Sequence, residues 1–265
     1  LGRAKDIVVK PIAAKDANRI VRALHYSGKV DTRSQLHFGV FLDGKCGGAI
    51  QMGPPIDRRK VIGTVSATLW NEMLDMHRLA LADWLPRNGE SRAIAMMFRA
   101  IRRTYPEMQW VQSYADATQC GDGAIYRAAG FVLIGIRPNT SMYRMPGGEV
   151  CCKIVFEPGF GPNAGSASHK GRHGKTGSET AGRFLDRIGA EKLPGFQLRY
   201  IYFLDPTARE RLTVPIIPFS EIAKRGAGMY RGKPRAGSIA SDATAIQADK
   251  GGAIPTPALS ESKEL

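Results

Sequence analysis

Acidic side chains are in short supply. The chain has 24 Asp and Glu against 38 Lys and Arg in 265 residues, a formal charge of +14. Long apolar runs are missing too: none approaches the roughly 18–20 residues of a membrane span, and the first residues hold no apolar core of a secretory signal. A soluble, intracellular protein with no membrane partner is expected. Cysteine is limited to Cys46, Cys120, Cys151 and Cys152, with one adjacent pair and no CxxC. That pattern argues against a disulfide framework and against a four-ligand zinc site. Apolar residues, by contrast, make up 43% of the chain, so disorder throughout is excluded and a core must coexist with a basic surface. The length suits one large domain, or one domain with a substantial appendage.

The positive charge is unevenly placed. Residues 1–136 carry 19 basic and 12 acidic side chains, 137–235 carry 17 and 8, and 236–265 carry 2 and 4. A strongly basic folded surface usually meets phosphate. No basic amphipathic helix with an aromatic face is visible, so nucleic acid is the expected partner. From Ala236 onward Gly, Ala, Ser, Thr and Pro dominate, a composition that buries too little apolar surface to fold, and a disordered tail is expected. Residues 159–182 are rich in Gly and Ser and carry His169, Lys170, Arg172, His173 and Lys175. These mark a flexible basic loop, with Lys170, Arg172 and Lys175 as candidate DNA contacts. His173-Gly174-Lys175-Thr176 has His169 where a phosphate-binding loop needs its first glycine, so nucleotide hydrolysis is not indicated.

A β-branched run at 7–12 leads into the helical spacing of Ala17, Ile20, Val21 and Leu24. Apolar runs at 36–42 and 49–52 flank Asp43-Gly44, a hairpin dipeptide. A further run, 73–81, holds His77 and Arg78 in its middle. After the loop 86–90, Ser91 is placed to cap a helix running through Met97, Phe98 and Ile101. A strand at 110–114, a short helix at 123–129 and a strand at 132–136 follow. The order β, α, β, β, β, α, β, α, β predicts an α/β (α+β) fold, a mixed sheet with helices on both faces. Residues 1–136 are expected to form the catalytic domain and 137–235 a basic, DNA-gripping extension packed on it. Within that extension Arg199, Tyr200 and Tyr202 lie on an alternating aromatic strand, expected either to face DNA or to pack at an edge.

Several strings carry a resemblance. Ile125-Tyr126-Arg127-Ala128-Ala129-Gly130-Phe131 and the loop before the Ser91 helix resemble the GNAT acyltransferase fold, whose last helix ends in Tyr-x-x-x-Gly-Phe. More narrowly, the chain resembles the phage Mom family of DNA adenine-modifying proteins over roughly 20–232. The strings are His25-Tyr26-Ser27-Gly28-Lys29, Leu36-His37-Phe38-Gly39-Val40-Phe41, Trp84-Leu85-Pro86-Arg87-Asn88 with Glu90-Ser91-Arg92, Ala115-Asp116 with Thr118-Gln119-Cys120-Gly121-Asp122-Gly123, and Arg199-Tyr200-Ile201-Tyr202-Phe203. The resemblance implies a GNAT-like transferase in the bacterial host cytoplasm. It would convert adenine in duplex DNA to N6-carbamoylmethyladenine and so protect phage DNA from restriction.

That chemistry assigns roles. Adenine N6 is a poor nucleophile, because its lone pair is delocalised into the ring, so a donor must be positioned, a proton removed and an acid supplied. Asp116, at a strand end, is the expected base or N6 anchor, against a plain loop-cap role. Tyr126 is the expected acid, against a core tyrosine. His25 is a candidate base, Ser91 a donor contact as well as a helix cap, and Lys29 a DNA contact. Arg78, Arg87 and Arg92 are expected to hold the donor, either acetyl-CoA or glycyl-tRNA. The GNAT pyrophosphate loop, Arg/Gln-x-x-Gly-x-Gly/Ala, does not fit Arg87-Asn88-Gly89-Glu90-Ser91-Arg92, where Glu90 adds a negative charge. The resemblance also raises bound iron, with His25, His37 and Asp116 as conceivable ligands whose spacing gives no support. A flipped adenine, tRNA and a second copy of the chain are the partners considered. The alternative functions are a non-catalytic DNA-binding protein on the same scaffold and an N-acetyltransferase for a small molecule or protein.

Overall fold

Alternating side chains of one long sheet divide into two apolar faces, and helices cover both. The computed structural model describes residues 2–157 and 179–235. The chain runs β1 (Val8–Pro11), α1 (Ala14–Leu24), β2 (Leu36–Leu42), β3 (Lys45–Gly53), α2 (Arg58–Val61), β4 (Met73–Leu81), α3 (Gly89–Thr104), β5 (Trp110–Asp116), α4 (Ala124–Ala128) and β6 (Val132–Pro138). There follow β7 (Met142–Arg144), β8 (Val150–Cys152), α5 (Ala181–Arg187), β9 (Glu191–Lys192), β10 (Phe196–Phe203), α6 (Ser220–Lys224), β11 (Met229–Tyr230) and β12 (Lys233–Pro234). The expected order of strands and helices through β6 is present, and the Asp43-Gly44 hairpin turns with both residues at positive φ, as a tight two-residue loop requires.

The seven-stranded sheet has the order β1-β2-β3-β4-β5-β10-β6. Every neighbouring pair is antiparallel except β4–β5. On one face Ile50, Met52, Leu74, Met76, Val111, Leu198 and Tyr200 meet the buried stripe Ala93, Ile94, Met97, Phe98 and Ile101 of α3. On the other, Ala49 and Ala80 receive Ala17, Ile20 and Val21 of α1, while Met73, Trp110, Ile134 and Ile201 are covered by Val61, Val65 and Ala208. Burying each large apolar side chain contributes about 1.5–3 kcal/mol, so the two faces together anchor every helix that approaches the site.

Two expectations change here. The strand 196–203 does not lie at an edge or face DNA: β10 is inserted between β5 and β6, with Tyr200 fully buried. The division at 136 therefore separates β6 from the strand that pairs with it. What does stand apart is 139–157 with 179–195, where β8-β7-β9 form a small sheet over their own cluster of Met145, Cys151, Phe156, Phe184 and Leu185. The candidate contacts Lys170, Arg172 and Lys175, and the tail 236–265, lie outside the described residues.

Tyr200 is fixed against the turn that starts α4. Its hydroxyl donates to the Asp122 carbonyl, and its ring lies so close to Gly123 that an added Cβ would come within 2.5 Å of it. Gly123 also has φ of 81°. Gly123→Ala should therefore cost about 1–2 kcal/mol for the left-handed backbone and about 1–3 kcal/mol more for overpacking, read as a lower urea midpoint at unchanged m-value. An unchanged midpoint would contradict this close approach.

Candidate active site

The parallel pairing of β4 with β5 is short. It runs from Met73↔Trp110 to Met76↔Ser113 and stops, while β4 stays paired with β3 as far as Leu81↔Gly48 and β5 with β10 as far as Asp116↔Gln197. The strands part because β4 holds one residue too many: Met52 opposes Met76 and Gln51 opposes Arg78, leaving His77 as a bulge. A bulge bends its strand and re-aims the side chains beyond it. His77 is pinned there, with Nε2 donating to the Pro54 carbonyl at 2.9 Å and Nδ1 2.8 Å from the Ser34 hydroxyl. A carbonyl only accepts, so Nε2 carries a proton. Burial keeps the ring neutral, lowering the His77 pKa to about 4 despite the opposing pull of Asp31.

Arg78, Asp116, Tyr126, His25 and Tyr26 converge on this parting. The Arg78 guanidinium donates to the carbonyls of Lys29 at 2.7 Å and His77 at 2.6 Å, and none of the described ion pairs includes it. Its charge is felt by His25, Tyr26 and Tyr126. Asp116 closes β5 by accepting Thr118 N–H at 2.9 Å on Oδ1 and the Gln119 amide at 3.0 Å on Oδ2. The loop-cap role is thus real, yet each carboxylate oxygen keeps a second lone pair. The Asp116 charge reaches Tyr26 and Cys152. Tyr126 is 8% exposed on α4, and burial pushes its phenol upward. Desolvation, followed by the charge of Asp116, raises the Tyr26 phenol strongly. Both phenols are therefore protonated at neutral pH.

His25 belongs to the cluster without being a useful base. Its Nδ1 faces the Ser27 N–H at 3.2 Å and the Ser27 hydroxyl at 2.8 Å, and burial, then the Arg78 cation, hold its pKa at about 3. Its position at the end of α1 stacks it on Tyr26, with ring centroids 4.3 Å apart. Tyr26 itself was passed over by sequence reasoning although it lies inside the His25–Lys29 string. Cys120 was missed similarly; its thiol is felt by both Tyr26 and Tyr126.

Other expected residues are engaged elsewhere. Ser91 is not the helix cap: α3 begins at Gly89, Asn88 occupies the cap with φ of 66°, and the Ser91 hydroxyl donates back to the Asn88 carbonyl at 3.2 Å. Arg92 reaches the Lys5 carbonyl at 3.4 Å, and Arg87 is exposed at the same helix end. Lys29 pairs with Glu149 at 3.0 Å and donates to the Val150 carbonyl. Burial works to lower its pKa, and Glu149 with Cys151 more than reverses this, so Lys29 fastens the small sheet beside the cluster. Arg199 binds Gln112 and Thr64. His25, His37 and Asp116 do not form a ligand set, since His37 Nδ1 faces the Gln51 amide at 3.2 Å on the β2–β3 pair. Among the described residues no group of three His, Cys, Asp or Glu is arranged to hold a metal. No helix among them is long and apolar enough to cross a membrane.

Asp75 lies under the parting and is a carboxylate that sequence reasoning overlooked, though a carboxylate inside the apolar run 73–81 was its signal. It is 8% exposed, Oδ1 has no partner, and burial raises its pKa to about 7 against the opposing pull of Arg33, Gln112 and Arg199. The native state then binds a proton that the unfolded chain releases near pH 4, so stability from this group falls as pH rises toward 7 and is level above it. The stability of Asp75→Asn relative to the parent chain should therefore increase between pH 4 and 7 and then plateau, measured by urea unfolding at each pH. A difference independent of pH would show Asp75 to be ionised throughout.

Comparison with known proteins bears on this arrangement. The Mom protein family matches residues 6–221. The chain is 32% identical over 221 residues to the methylcarbamoylase mom of Escherichia phage Mu, covering 80% of this chain and 82% of that one. Among solved structures, the ribosomal-protein-S18-alanine N-acetyltransferase of Escherichia coli aligns at a TM-score of 0.39 and 11% identity, covering 75% of this chain and 94% of that one. A GNAT family acetyltransferase from Elizabethkingia anophelis with acetyl-CoA bound aligns at 0.37 and 11%, covering 75% and 98%. With a family match across most of its length and a relative at 32% identity, the chain belongs to the Mom protein family.

Proposed function

We propose that this protein is a DNA-modifying transferase that converts adenine in duplex DNA to N6-carbamoylmethyladenine, acting in a bacterial host. The observation that carries the proposal is the convergence of one carboxylate, two protonated phenols and a fixed guanidinium where β4 and β5 part. Family membership supports it, as does the relative named a methylcarbamoylase. An adenine must be unstacked to enter such a notch, at a cost of a few kcal/mol.

The residues divide the work as follows. Asp116, oriented by Thr118 and Gln119, accepts a proton from N6 through its remaining lone pairs. Tyr126, whose phenol is held protonated by burial, donates a proton to the leaving group. Arg78 stabilises the negative charge that develops on the donor carbonyl oxygen. His25, neutral and tied to Ser27, positions Tyr26. The first turn of α3, with Arg87, Ser91 and Arg92, offers N–H groups and positive charge to a phosphate of the donor.

The product constrains the donor. Direct acyl transfer places a carbonyl carbon on N6, whereas carbamoylmethyladenine has a CH2 there. A glycyl ester resolves this. Its carbonyl carbon bonds N6 as the ester C–O bond breaks; the N6 proton goes to Asp116 and the leaving hydroxyl takes one from Tyr126. The free glycyl amine then adds to C6 through a five-membered ring, the original C6–N6 bond breaks, and the old N6 becomes the terminal amide. The two adducts are isomers, so no oxidant or added nitrogen is needed. Glycyl-tRNA is the donor this scheme favours, with acyl-CoA as the alternative.

Nucleosides from the DNA of cells expressing the chain should contain the modified deoxyadenosine. Asp116→Ala and Tyr126→Phe should each lower its formation by about 10²–10⁴-fold. Unmodified DNA at good expression would refute the function, and full activity in Asp116→Ala would refute the site. With 15N-glycine the label should be bonded to purine C6; label only in the terminal amide, or none, would exclude the glycyl route.

A further inference from the structure

The segment after the family match has its own surface. The match ends at residue 221, and residues 222–235 carry five basic side chains and no acidic one. Lys224 ends α6, and residues 229–234 form the β11–β12 hairpin, paired Met229↔Pro234 and Tyr230↔Lys233. Its turn is Arg231-Gly232, with φ of 49° and 73°. Glycine adopts such a conformation freely; arginine does so at a cost of about 1–2 kcal/mol. A bulky cationic residue is thus held at the tip in a backbone state that disfavours it.

The hairpin is fastened to the loop that follows Asp116. Asp122 N–H donates to the Met229 carbonyl at 3.0 Å, and Gly232 N–H donates to the Cys120 carbonyl at 2.7 Å. The Arg235 guanidinium lies 2.9 Å from the buried Asp122 carboxylate. Cys120 N–H in turn donates to the Asp116 carbonyl at 3.0 Å, so two hydrogen bonds join the hairpin tip to the candidate base. Tyr230 is 55% exposed and flanked by the guanidinium groups of Arg231 and Arg235, 5.6 and 5.5 Å from its ring centre. Tyr230, Arg231, Lys233, Pro234 and Arg235 line an open cavity of about 560 Å³. Among the described hydrogen bonds and ion pairs, neither Arg231 nor Lys233 uses its side-chain charge.

We infer that the β11–β12 hairpin is a duplex-DNA contact, in which Arg231 and Lys233 grip phosphates beside the target adenine and Tyr230 offers its ring face to a base. This builds on the DNA-modifying function proposed above. Charge complementarity argues for nucleic acid, since cations without a protein partner suit phosphate. The exposed ring argues for stacking, because every base presents a π-face. The short hydrogen-bonded path to Asp116 argues for the acceptor duplex, because the contact then holds the strand from which the adenine is everted.

The test uses the full chain and a fluorescent 25-base-pair duplex, with anisotropy measured over a range of salt. Arg231→Gln with Lys233→Gln should weaken binding at least tenfold at physiological salt and make the slope of log K against log[salt] shallower by about 2, as loss of two phosphate contacts requires. Tyr230→Ala should weaken binding with no change in slope, and Lys233→Arg should bind as the parent does. An unchanged thermal melt confirms that each variant folds. Parental affinity and slope in the double variant would overturn the inference, and so would a hairpin-dependent preference for tRNA over the duplex. Nucleoside analysis of the same variants separates the two proposals. Hairpin-dependent duplex binding without modified adenine sinks the enzymatic function and leaves the contact standing, while parental binding and modification in the double variant does the reverse.

Discussion

The extra residue in β4 is the constraint on which the site depends. With His77 accommodated as a bulge, β4 and β5 cannot remain hydrogen-bonded neighbours beyond Met76 and Ser113, and a notch opens in the middle of an otherwise continuous sheet. An unpaired strand edge in a protein interior is costly unless its groups find partners. Here the imidazole is held by Ser34 and Pro54, and Arg78 turns its guanidinium onto the His77 and Lys29 carbonyls. The same contacts that complete the bulge place a fixed positive charge at the mouth of the notch.

Around that charge the titrating groups are pushed apart in a useful way. Burial keeps Tyr126 protonated and the two histidines neutral, while Asp116 sits at a strand end, oriented by the Thr118 N–H and the Gln119 amide. The buried carboxyl of Asp75, on the opposite face of the sheet from α3, is pushed up toward neutrality and lies beneath the strands that part.

The far side of the site is built from segments remote in sequence. Tyr200 of β10 holds the Asp122–Gly123 turn from below, Lys29 ties α1's following loop to Glu149 of the small sheet, and the β11–β12 hairpin covers Cys120 and Asp122. Each of these contacts spans more than thirty residues of chain, and together they fix the loop between β5 and α4, on which Asp116 and Tyr126 both depend. Lys29 and Arg235 are paired with Glu149 and Asp122, so part of the positive charge is spent on these contacts rather than left open.

Local signals in the sequence determined much of this protein. Apolar spacing gave α1 and α3, Asp43-Gly44 the first hairpin, and polar strings around His25, Asp116 and Tyr126 the residues that converge. These follow from periodicity and turn chemistry, which depend on a few neighbouring side chains. The tertiary structure alone decided that 196–203 enters the sheet between β5 and β6, that Tyr200 is core rather than surface, and that Ser91 sits inside a helix capped by Asn88. It also brought Tyr26 and Cys120 within electrostatic reach of Tyr126 and buried the Asp75 carboxyl in the sheet. Strand order and bulge position are set by pairing between distant segments, and burial by what packs on them; a side chain's neighbours across a sheet leave no fixed spacing in the sequence.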